Sequence, residues 1–152
     1  MIPLAGLLVI AHAPLATALK AVAEHVYPDC AERLVALDVD PGASAEHIEA
    51  RARSALLALA HDEVLVLADV FGATPCNVAM RLADGVSVRV VCGVNVPMIW
   101  RALCYADEPL DALVARALAG GAQGVLQVAV PRPQTQACQP TFHDQVQHHH
   151  QQ

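Results

Sequence analysis

The sequence predicts an α/β fold: a doubly wound, mainly parallel sheet with helices on both faces. Three observations lead there. Short apolar runs rich in Val, Leu and Ile alternate along the chain with longer segments of helical period. Those runs are continuous rather than polar at every second residue, as strands covered on both faces require. The 152 residues are 55% hydrophobic, enough for one domain with a sizeable core.

The elements follow in order. Leu4 to Ala11 reads as a first strand, and His12 stands at its end. Residues 15–26 have helical spacing, with Leu15, Leu19, Val22 and Val26 on one face, and Tyr27-Pro28-Asp29 closes that helix. Leu34 to Leu37 is a second strand, followed by the turn-rich Asp38 to Gly42. Ser44 is an N-cap for a helix whose stripe is Ile48, Ala52, Ala55, Leu56 and Leu59. Val64 to Leu67 is a third strand, ending at Ala68-Asp69. Pro75 to Leu82 is a short helix, with Thr74 at the N-cap and Pro75 in the first position, where no N–H is missed. Val86 to Cys92 is a fourth strand after the Asp84-Gly85 turn. Asn95 and Pro97 open a helix through Cys104, and Leu110 to Leu118 forms another that Gly120-Gly121 ends. Gly124 to Val130 is a last strand-like segment. Residues 1–130 form the domain. Residues 131–152, rich in Pro, Gln and His, read as a disordered polar tail.

Composition excludes several functions. Nine basic against fifteen acidic residues give a net charge of −6, which offers no footprint for nucleic acid and none for an anionic membrane surface. The apolar N-terminus lacks a basic segment, and His12 and Pro14 break the run. It is neither a signal peptide nor a membrane span. The five cysteines at 30, 76, 92, 104 and 138 are odd in number and form no C-x-x-C pair. They read as reduced thiols of a cytoplasmic protein. No cofactor and no metal is expected. His143, His148, His149 and His150 of the tail have imidazoles that suit a transition metal, but neighbours in a floppy terminus lack a fixed surrounding shell. His25, His47 and His61 read as surface residues.

In an open parallel sheet, ligands bind beyond the carboxyl ends of the strands, where the strand order reverses. His12 follows the first strand and Asp69 the third. If those strands are neighbours, the two side chains meet. An imidazole can accept a phosphoryl group on one nitrogen while a carboxylate on the other fixes the tautomer and stabilises the cationic ring. Taken singly, a loop histidine bonded to backbone and a polar strand end explain both residues as well. The segment after Asp69 favours the chemical reading. In L-A-D-V-F-G-A-T-P-C-N, Gly72 makes a tight loop and Thr74 stands at a helix start, where free N–H groups and the helix dipole attract an anion.

Three segments carry a family resemblance. L-L-V-I-A-H-A-P-L-A, V-L-V-L-A-D-V-F-G-A-T-P-C-N and C-G-V-N-V-P-M-I-W-R-A-L occur in the order, and with the sense, of the signatures of mannose-family enzyme IIA. That domain belongs to the bacterial phosphoenolpyruvate-dependent sugar phosphotransferase system. The match runs from about residue 4 to 130. The resemblance implies that the phosphocarrier protein HPr phosphorylates His12, that Asp69 bonds its imidazole and that Thr74 helps to bind the phosphate. The group then passes to a IIB protein during sugar uptake. It also implies a homodimer in which the last strand, antiparallel, is exchanged between subunits. Departures are Ala13 where the family often has Gly and Thr74 where it usually has Ser, which keeps the hydroxyl.

Two alternatives stand beside the sugar-transport carrier. One is a regulatory module whose His12 phosphorylation state controls a partner protein. The other is the phosphotransfer subunit of dihydroxyacetone kinase, against which G-V-N-V-P-M argues.

Overall fold

Alternate residues of one strand feed two separate cores in the computed structural model, which describes residues 4–132. The strand is β1 (Gly6–His12), buried along its length except at His12. Its Leu7, Val9 and Ala11 face one core and its Leu8 and Ile10 the other. A two-residue period in a continuously apolar strand is what a helix–sheet–helix sandwich demands.

The other elements are α1 (Leu15–Val26), a 3-10 turn at Ala31–Arg33, β2 (Leu34–Val39), α2 (Ala45–Leu59), β3 (Val64–Ala68), α3 (Thr74–Leu82), β4 (Val88–Cys92), α4 (Val96–Cys104) and α5 (Leu110–Gln123). The strand order is β2-β1-β3-β4, and every neighbouring pair is parallel. Helices α1, α4 and α5 cover one face, with Leu19, Met98, Ile99, Ala102 and Leu113 in its core. Helices α2 and α3 cover the other with Ile48, Ala52, Val78 and Ala79. The α/β class and the parallel sheet therefore agree with the sequence reading. Among the described residues no helix is long and apolar enough to cross a membrane.

Four details differ from expectation. On α1 the buried stripe is Ala16, Leu19 and Ala23, while Leu15, Val22 and Val26 are each about 40% exposed. Alanines let the helix lie close on the sheet, so the bulkier residues move to the flanks. The N-cap of α3 is Ala73, and Thr74 is already helical. Helix α5 does not stop at Gly120-Gly121 but runs through both. A Cβ on Gly120 would lie 2.6 Å from the Cβ of Arg101, and one on Gly121 2.7 Å from the Cε of Met98. The pair is there so that α5 can press against α4, not to end a helix. Finally, residues 125–132 join no strand ladder within the chain, and Val125, Leu126, Val128 and Val130 are 69–81% exposed. Among the described residues the sheet of a single chain thus has four strands, and the expected antiparallel fifth is not one of them. Most of the expected tail, including Cys138 and His143, His148, His149 and His150, lies outside the described residues.

Beside the α4–α5 contact, Tyr27 and Trp100 pack edge to face with ring centroids 6.3 Å apart. They share a cleft of about 540 Å3 with Tyr105, Arg101 and Gln123.

Candidate functional site

β1 and β3 lie side by side with Ile10 opposite Ala68, so the residues that leave their carboxyl ends, His12 and Asp69, emerge together. The chain runs outward from β1 to β2 and back to β3 on the other side. His12 and Asp69 therefore sit where the strand order reverses.

One oxygen of Asp69 serves His12 twice. Its Oδ2 accepts the main-chain N–H of His12 at 2.9 Å and the ring Nδ1–H at 2.6 Å. The second oxygen, Oδ1, accepts the N–H of Val70 at 2.8 Å. Asp69 has 11% of its side chain exposed and His12 55%. Burial, the largest single influence, pushes the Asp69 carboxyl upward. The bonds from His12 and Val70, with attraction to the imidazole, outweigh it, and its pKa ends below the usual carboxylate range. An ionised Asp69 can only accept, so the proton of the bond lies on Nδ1. In the neutral ring the lone pair is then on Nε2. That atom has no hydrogen-bond partner among the described residues, and His12 is open to solvent.

The loop after Asp69 is short and fixed. Gly72 has φ +84°, a left-handed conformation that side chains disfavour. Nothing in the surroundings would touch a Cβ there, so the glycine answers to backbone geometry alone. No side chain caps α3. Its neighbours are different: Ser44 accepts from His47 N–H at the start of α2, and Asn95 from Met98 N–H at the start of α4. The first-turn N–H groups of α3 stay available to an anion, and the dipole there favours negative charge. Gly72 and Thr74 are both exposed, and neither bonds to His12. The structure thus brings His12 and Asp69 into direct contact and places Gly72 and Thr74 on the loop and helix start that follow.

Asp38 is a residue that sequence reasoning left in a turn. It lies in β2 opposite Ala11, and its carboxylate accepts the N–H of Thr17 at 3.2 Å and the Thr17 hydroxyl at 2.6 Å. It thereby caps α1 from another strand and holds the turn that carries the chain away from His12. Nothing local in the sequence marks a cap donated across 21 residues.

Within ion-pair distance, the only basic group on Asp69 among the described residues is His12. No cluster of three or more metal-ligating side chains occurs among the described residues.

Comparison with known proteins gives the family and supports the fold. A family model for the PTS system fructose IIA component matches residues 6–118. The mannose/sorbose-specific IIA subunit of the phosphotransferase system from Enterococcus faecalis is 27% identical, with a TM-score of 0.76 over 85% of this chain and 98% of that one. The PTS IIA protein associated with the fucose utilization operon of Streptococcus pneumoniae is 24% identical (TM-score 0.71, 84% and 96% covered). Phosphotransferase system component EIIA from Streptococcus agalactiae is 22% identical (TM-score 0.73, 80% and 95% covered). These last two share the fold. No curated protein sequence gives a significant match.

Proposed function

The chain belongs to the PTS fructose IIA component family, the mannose type of enzyme IIA, and on that premise we propose that it carries a phosphoryl group on Nε2 of His12. The observation that supports this most is the division of labour in one imidazole. Nδ1–H is held by Asp69 at 2.6 Å, and Nε2 faces solvent. HPr is the donor and a IIB protein in sugar uptake the acceptor.

The step needs little from the protein beyond aim and charge. The Nε2 lone pair attacks phosphorus, the bond from phosphorus to the donor breaks, and the donor keeps that electron pair. Nδ1 keeps its proton, so the phosphorylated ring is cationic and Asp69 stabilises it. A cationic ring is also the better leaving group when the phosphoryl group moves on. Gly72, the hydroxyl of Thr74 and the free N–H groups of α3 meet the phosphoryl oxygens.

Residues 124–130 act as a fifth strand only in a pair of chains. Their exposed apolar side chains leave this segment unpaired in each copy, and the outer edge of β4, one of the two sheet edges, is open to receive it. Exchange across a two-fold axis satisfies both and gives a homodimer. The reading assigns residues 1–130 to the phosphoryl-carrying domain, working in the cytoplasm beside its donor.

The test is incubation with phosphoenolpyruvate, enzyme I and HPr, with mapping of acid-labile phosphate. His12→Ala abolishes the label. Label that persists in this variant, or that sits on another histidine, overturns the assignment.

A further inference from the structure

His12 is flanked on both sides by apolar residues that the fold leaves in water. After β1, Pro14 of the turn is exposed and Leu15, the first residue of α1, is 39% exposed. On the loop after β3, Val70 is 51% and Phe71 77% exposed. Phe71 is one of only two phenylalanines in a chain with 3% aromatics. Burial of such a side chain is worth roughly 1.5–3 kcal/mol, so leaving it in water forgoes stability. Its exposure is not slackness. The loop is pinned by the Val70 N–H to Asp69 bond on one side and by left-handed Gly72 on the other. Phe71 Cα also lies at most about 7 Å from that of Asp69, since two residues span no more.

The His12 side chain is 55% exposed. The clefts on α4 and α5, on α2, and beside Glu63 and Arg89 do not include His12, Asp69 or Gly72. Small phosphate donors are gripped in concave sites, whereas a rigid, protruding aromatic beside a solvent-facing nucleophile suits a protein surface. Anything that brings phosphorus to Nε2 must come from the solvent side, over these residues.

We propose that Phe71, with Val70 and Leu15 around it, is the docking anchor for the protein that delivers the phosphoryl group, and that it seats in an apolar depression beside that protein's phosphorylated residue. The inference rests on the carrier reading and adds to it the surface that recognises the donor. Phe71 touches no reacting atom; it sets the encounter and not the chemistry.

The experiment uses the full chain and two donors, phospho-HPr and phosphoramidate, a small molecule that needs no docking surface. For Phe71→Ala, the KM for phospho-HPr rises about 10- to 30-fold, while kcat stays within about twofold. Labelling of His12 by phosphoramidate keeps its rate, and Phe71→Trp restores the KM. An unchanged KM in Phe71→Ala overturns the proposal, and so does a parallel fall in phosphoramidate labelling, which would put Phe71 in the chemical step. An unaltered chain that takes no label from either donor sinks the carrier reading and this inference with it. A labelled chain with an unchanged KM sinks the docking role alone.

Discussion

The Oδ2 atom of Asp69 holds the main-chain N–H and the ring of His12 at once, at 2.9 and 2.6 Å. The ring is therefore oriented against its own strand end, and one substitution releases both contacts. Asp69→Asn keeps the size and loses the charge. A charge-assisted hydrogen bond is worth ~1.5–3 kcal/mol, so phosphoryl uptake slows roughly tenfold to 150-fold if the whole bond is lost in the transition state. The fold survives, as far-ultraviolet circular dichroism checks. An unchanged transfer rate in a folded Asp69→Asn chain would remove Asp69 from the mechanism.

Gly72→Ala tests the loop. There is room for the methyl group, so the whole penalty is the left-handed backbone, about 1–2 kcal/mol. Urea unfolding reads that loss. Phosphoryl uptake falls in the same variant, because a loop that relaxes to negative φ turns its N–H groups away. A variant that is destabilised yet fully active would free Gly72 from any part in binding phosphate.

Gly120 and Gly121 separate packing from helix propensity. Each gains about 0.8–1 kcal/mol of intrinsic helix stability on change to Ala. At Gly120 the new methyl meets the Arg101 Cβ at 2.6 Å, an atom fixed to the backbone of α4. Overpacking of this kind costs ~1–3 kcal/mol, so Gly120→Ala is net destabilising. At Gly121 the obstacle at 2.7 Å is the terminal methyl of Met98, which can swing aside. Gly121→Ala is the milder change, and thermal unfolding of the pair gives the order.

Acid unfolding follows from four carboxyls whose pKa is lowered in the folded chain: Asp69, Glu49, Asp84 and Glu108. For Asp84 the cause is a bond to the Ser87 hydroxyl together with the N–H groups of Val88, Val86 and Ser87. A depressed folded pKa adds stability that is complete above the unfolded value, about 4 for these groups, and is lost as pH falls toward the folded one. The contribution of these carboxyls is thus complete from neutrality to about pH 5 and declines below pH 4. Asp84→Asn weakens that decline, and urea midpoints between pH 7 and 2 measure it. An identical acid profile in the variant would contradict the assignment.

Strand exchange is checked by truncation and light scattering. Removal of residues 131–152 leaves a dimer. Removal of 125–152 gives monomers, since Gly124 still caps α5 but the exchanged strand is gone. A full-length monomer, or a dimer that outlives the longer deletion, refutes the exchange.

The strands were legible because continuous apolar runs such as Val64–Ala68 have no other home than a sheet covered on both faces. The two residues of the candidate site were legible singly, at the ends of two such runs. Their contact followed from the residues only on condition that β3 lies beside β1, and otherwise from the family resemblance, because strand order is a property of the packed sheet. Gly120-Gly121 misled for a physical reason: glycine ends helices and also admits close neighbours, and only the facing Arg101 and Met98 tell the two apart. The stripe of α1 misled because side-chain size was read as depth, whereas Ala16 and Ala23 allow the nearer approach. Thr74 was placed one residue early, since Pro75 suits either of the first two helical positions. The error leaves the hydroxyl unspent on capping.

Because β1 is paired on both sides and every residue of β3 is buried, amide hydrogens of this central pair should be the slowest in the chain to exchange with deuterium, opening only with the whole molecule. β4 is an edge strand, paired only with β3. Residues 125–132, which join no ladder in the chain, can change partners while His12 and Asp69 remain fastened to the last part of the protein to let go.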